Sequence, residues 1–150
     1  MKYYLQFIFL FISSFCFSQA QYDSVLAKKT GADEYGMKKY VLVMLKTGSN
    51  TSTANKNFKD SCFKEHLNNI GRLANENKLV VAGPITSKNS NTYRGIFILS
   101  VASQSEAIEV LKTDAAIRFK FLDYELFDWY GSAALSTYLE NVEKVTKKNF

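Results

Sequence analysis

Apolar runs of strand length, interleaved with segments of helical period, restrict this chain more than any other feature of its sequence. Lys39 to Lys46 (KYVLVMLK) is an almost continuous apolar run and reads as a central strand covered on both faces. A polar loop rich in Ser, Thr and Asn follows from Thr47 to Asn57. From about Phe58 to Asn77 the period becomes helical. Phe63, Leu67, Ile70 and Ala74 recur at three- and four-residue steps, and His66, Ile70 and Leu73 form a second row beside them. Lys78 to Ala82 is a short strand ended by Gly83-Pro84, and a polar loop over Ser87 to Asn91 leads into a third strand, Thr92 to Val101. Ser103-Gln104-Ser105-Glu106 is a capping box that opens a helix to about Lys112. Asp114 to Arg118 makes a turn, and Phe119 to Trp129 is a fourth strand with Leu122, Tyr124 and Leu126 on one face and Gly131 as its breaker. Thr137-Tyr138-Leu139-Glu140 repeats the capping-box pattern and predicts a terminal helix within 136–150, with Leu139, Val142 and Val145 on one side.

The resulting order, β-α-β-β-α-β plus a C-terminal helix, is that of a ferredoxin-like α+β domain over residues 38–135. Right-handed crossovers put both main helices on one face of an antiparallel sheet with strand order 4-1-3-2. The other face carries aromatic and aliphatic side chains without a dedicated cover, so a homodimer packing sheet to sheet is expected.

The N-terminus has its own grammar. Lys2 supplies a positive end, Leu5 to Phe17 a nearly unbroken apolar run, and Ser18-Gln19-Ala20 the small residues that signal peptidase reads. The run is shorter than the ~20 residues that span a bilayer. Residues 1–20 therefore read as a signal peptide, residues 21–37 as a leader, and the mature chain as periplasmic or secreted without stable membrane insertion. Cleavage removes Cys16 and leaves Cys62 alone, which excludes an intrachain disulfide in the mature chain. Losing Lys2 takes the formal charge from +5 to +4, and the lysines occur as scattered pairs such as Lys28-Lys29 and Lys147-Lys148. That pattern describes a solvated surface better than a nucleic-acid or lipid footprint. The run Tyr93-Arg94-Gly95-Ile96-Phe97-Ile98 has the strand context of an RNA-recognition motif, but Ile96 stands where a base-stacking aromatic is required. Nucleic acid is not an expected partner.

His66 is the only histidine in the chain. A lone His on an apolar helix face is more often a satisfied core residue than a catalyst. It becomes a general base when a carboxylate or carbonyl fixes its tautomer through the other ring nitrogen, and Asp114, Asp123 and Glu125 are the candidate partners. Cys62 lies one turn before His66, but no further residue completes a metal set, so neither metal nor cofactor is expected.

Several segments together resemble the YCII-related (YciI-like) domain family: His66 with LNNIGRLANENKLVVAGP (Leu67 to Pro84), YRGIFILSV (Tyr93 to Val101), SEAIEVLKTDAAI (Ser105 to Ile117) and ELFDWYGSAAL (Glu125 to Leu135). The resemblance covers about residues 39–135. It implies a dimeric ferredoxin-like α+β barrel with an active site at the helix His and at an Asp following the second helix, here His66 and Asp114. Many relatives have Pro after that Asp, where this chain has Ala115. Some members act by elimination on chlorinated hydroxyaromatics, and most have no assigned reaction. The resulting expectation is acid/base chemistry by His66 and Asp114 on a small hydroxyaromatic or carbonyl substrate, in a pocket between the first helix and the sheet. Tyr93, Arg94 and Tyr124 are candidate substrate contacts, apart from what the resemblance implies. The alternative is a non-catalytic module of the cell envelope, binding a small ligand or serving a structural role.

Overall fold

The structure, a computed structural model, describes residues 21–52 and 55–148. The signal-peptide reading of residues 1–20 therefore lies outside the described residues. The elements, in order, are α1 (Ser24–Thr30), β1 (Met37–Thr47), α2 (Lys56–Asn75), β2 (Leu79–Pro84), β3 (Tyr93–Leu99), α3 (Gln104–Leu111), α4 (Ala115–Arg118) and β4 (Leu122–Ser132). A 3-10 helix (Ala133–Tyr138) and α5 (Leu139–Val145) complete the chain. The strands form one antiparallel four-stranded sheet in the order β2-β3-β1-β4, so this is an α+β fold.

Alternation along the strands divides the sheet into two unlike faces. Val41, Val43 and Leu45 of β1 and Phe97 and Leu99 of β3 point to one side, where they join Cys62 and Leu73 of α2 and Ala107, Val110 and Leu111 of α3 in a single buried cluster. Leu122, Tyr124 and Leu126 of β4 extend this face, as their spacing predicted. The central strand is not covered equally on both sides. Leu42 and Met44 on its outer face are only half-buried, because no main helix lies there.

The outer face is covered at one end by the 3-10 helix that follows β4. The 3-10 helix leaves the β4 edge and reaches β2 at the opposite edge, where the Tyr138 hydroxyl donates to the Val80 carbonyl. Tyr40 and Val80 are buried outside the main cluster, and Tyr40 packs on Trp129 with ring centroids 5.6 Å apart. The ring of Trp129 lies across Gly131, so close that an added Cβ would fall 2.1 Å from a ring carbon. Gly131 is thus a close-approach site inside β4, where the sequence pattern had placed a strand break.

Three further expectations change. Residues 21–37 contain α1, which the apolar pattern does not reveal because its stability comes from its ends. The Asp23 side chain accepts from the Val25 and Leu26 amides, and Gly31 closes the helix in the left-handed region (φ 74°). The expected capping box at Thr137 does not form. The Thr137 hydroxyl donates to the Ala134 carbonyl inside the 3-10 helix, and α5 begins without a side-chain cap and buries none of its residues. On α2, Leu67 is 46% exposed, and the buried stripe is Cys62, His66, Asn69 and Leu73 instead. The box at Ser103 does form, with Ser103 Oγ accepting from the Glu106 amide and Glu106 reaching back to the Ala102 amide, one residue beyond the usual partner.

Candidate functional site

Half of the buried stripe of α2 is polar, and buried polar groups need partners. Those of His66 and Asn69 converge on Asp114, whose residue is wholly inaccessible to solvent. Asp114 sits at the turn between α3 and α4 as the N-cap of α4, and its Oδ1 accepts from the amides of Ala116 (3.0 Å) and Ile117 (3.3 Å). Its Oδ2 accepts from Asn69 Nδ2 at 3.4 Å and lies 2.7 Å from His66 Nδ1. Of the three carboxylates open to His66 from sequence, the structure therefore selects Asp114. Glu125 instead bonds Lys46 and Tyr93, while Asp123 accepts from the Tyr124 amide.

This arrangement settles the histidine tautomer. Three N–H groups already use the Asp114 carboxylate as an acceptor, so Nδ1 of His66 carries the hydrogen and donates to Oδ2. In the neutral ring the lone pair then sits on Nε2. Among the described residues no buried side-chain nitrogen or oxygen lacks a partner, and Nε2 has no protein partner. Nε2 must therefore touch solvent, in keeping with the 11% of the His66 side chain that is accessible.

Aromatic rings set the plane of the imidazole. His66 stacks on Phe97 of β3 (centroids 5.8 Å apart, planes 21° from parallel), and Phe63 meets it edge-on at 6.2 Å. Such a site can take a proton at Nε2 and return it, with Asp114 stabilising the imidazolium through Nδ1–H. Cys62, one turn earlier on α2, is buried, and burial pushes its thiol above the usual range. Among the described residues no three His, Cys, Asp or Glu side chains come together as a metal-binding group.

The expected substrate contacts separate. Tyr124 lies half-buried on the core face, against the hydrophobic cluster. Tyr93 and Arg94 are not gathered around His66. The Tyr93 hydroxyl donates to Glu125 (2.8 Å), which also accepts from Lys46 (3.0 Å), and Glu125 pairs with Met44 on the outer face of the sheet. Arg94 is exposed. The Tyr93 hydroxyl, helped by Lys46, holds Glu125 below the usual carboxylate range. Asn69, Phe63 and Phe97 are the site residues that sequence reasoning did not single out. Asn69 was findable, since it lies three residues after His66 and so on the same helix face.

Neither a protein-family model nor a curated protein matches this chain.

Proposed function

We propose that this chain is an exported, YciI-like, ferredoxin-like domain protein in which His66 and Asp114 perform acid/base chemistry on a small hydroxyaromatic or carbonyl substrate. The observation that carries the reading is the 2.7 Å contact between His66 Nδ1 and Asp114 Oδ2, with Nε2 making no hydrogen bond among the described residues. A general base needs a fixed tautomer and a free lone pair, and this pair has both. The family reading is supported by the segments quoted above together with the order of strands and helices. Export is supported by the apolar run and the small residues at Ser18 and Ala20. A homodimer is supported by the outer sheet face, where Leu42, Met44 and Ile96 are half-buried and Phe127 is 47% exposed.

A second reading treats the pair as a structural tie and nothing more. It is favoured by the double role of Asp114, which caps α4 while bonding α2. The two readings part in one experiment. Small hydroxyaromatics and carbonyl compounds are screened by thermal shift, and binders are then tested for turnover. Acid/base catalysis predicts turnover that His66→Ala abolishes while ligand binding persists. If His66→Ala lowers only the melting temperature, and no binder of the folded protein is turned over, the structural reading stands.

A further inference from the structure

We infer that Asn69 is a positioning residue for the His66–Asp114 pair, and that Arg72 is the clamp that aims it. The inference rests on the acid/base reading of His66 but is tested without a substrate.

Asn69 is 8% exposed, and its two amide ends face different partners. Its Oδ1 accepts from Arg72 Nη2 at 2.7 Å and lies 3.2 Å from the Thr113 hydroxyl. A guanidinium can only donate, so the oxygen end must face Arg72, and the NH2 end is thereby turned toward Asp114 Oδ2. Arg72 is itself fixed at both terminal nitrogens, with Nη1 bonded to Glu76 (2.6 Å) and Nη2 also within 2.9 Å of the Thr113 hydroxyl. The chain Glu76–Arg72–Asn69–Asp114 thus runs from the surface to the buried carboxylate. It ends on the same oxygen that receives His66 Nδ1–H.

Two donors sharing Oδ2 divide its charge between them. Removing the Asn69 donor leaves more of that charge to His66 Nδ1–H, so this hydrogen bond should strengthen and its proton resonance should move downfield. The other titratable groups around the pair stay in place: Cys62 on the same helix face, and the exposed Glu65–Arg118 pair linking α2 to α4.

The test is the proton NMR resonance of His66 Nδ1–H, read at one fixed pH in the mature protein. In Asn69→Ala that resonance should move downfield, because the remaining donor no longer shares Oδ2. Arg72→Lys, which keeps the charge but not the planar fork, should shift it in the same direction by less, since Asn69 is kept but no longer held. Because the Arg72 side chain is 45% exposed, this last variant answers the question even if Asn69→Ala does not fold. Nδ1–H resonances equal to wild type in both folded variants, or in Arg72→Lys alone where Asn69→Ala is unfolded, would overturn the inference. A shifted resonance in a protein that turns over nothing would count against the proposed function while leaving the role of Asn69 intact.

Discussion

The imidazole of His66 stacks against the ring of Phe97, centroids 5.8 Å apart and planes 21° from parallel, and its Nδ1 lies 2.7 Å from Asp114 Oδ2. Stacking fixes the tilt of the ring and the hydrogen bond fixes its rotation, so the direction of Nε2 is determined by two independent contacts. A histidine that merely filled space on α2 would need neither.

The first prediction concerns that tautomer. Asp114→Asn can keep the α4 cap through its Oδ1, which leaves an NH2 group facing His66. Nδ1 must then accept, and the hydrogen moves to Nε2. Nitrogen-15 NMR should show Nδ1–H in the wild type and Nε2–H in the variant. Asp114→Ala loses the cap and strands two buried partners, for a cost on the order of 3 kcal/mol, or roughly a 10 °C fall in melting temperature.

Acid stability should depend on Glu125. Hydrogen bonds from Tyr93 and Lys46 lower its folded value below the ordinary 4.5. A lowered carboxylate stabilises the fold above its unfolded value, and that stability is lost as pH falls through the folded value. Glu125→Gln and Tyr93→Phe should therefore melt with a flatter dependence on pH below about 4.5 than the wild type does. Identical acid limbs in thermal melts would contradict this account of the outer face.

Gly131→Ala should disturb the only tryptophan of the chain. The new methyl group would meet the Trp129 ring and push it from Tyr40. We expect a loss of about 1–3 kcal/mol together with a changed tryptophan emission spectrum.

Cys62 should be inert in the folded protein. It is 3% exposed, and burial holds its thiol protonated above the usual range. An aromatic disulfide reagent should label it roughly 100-fold more slowly under native conditions than in denaturant.

How far the sequence could be read follows from what each feature depends on. The strands were legible because continuous apolar runs have few alternatives, and the pairing order followed from crossover handedness. Helix α1 escaped because its stability lies in Asp23 and Gly31 rather than in an apolar stripe. Leu67 was placed inside because hydrophobic spacing alone cannot tell which of two adjacent rows faces the sheet, and the row actually buried includes the polar Asn69. The His66–Asp114 contact spans 48 residues of sequence, a separation that carries no distance, so residue pattern alone left three carboxylates open and only the family resemblance pointed to Asp114. Tyr93 and Arg94 stand in a third-strand run whose sequence carries no register, so it does not say which sheet face Tyr93 serves. A register irregularity between Leu45 and Lys46 pairs Tyr93 with Lys46, and Tyr93 reaches Glu125 on the outer face.

The central claim is that Nε2 of His66 exchanges protons with a bound small molecule. The most direct measurement is solvent deuterium incorporation into a panel of small carbonyl compounds and hydroxyaromatics, followed by NMR with wild type, His66→Ala and Asp114→Asn. The account predicts enzyme-dependent incorporation by the wild type into at least one class, abolished in His66→Ala and strongly reduced in Asp114→Asn. Incorporation that is the same in all three proteins, or no faster than in buffer for every compound, would contradict it.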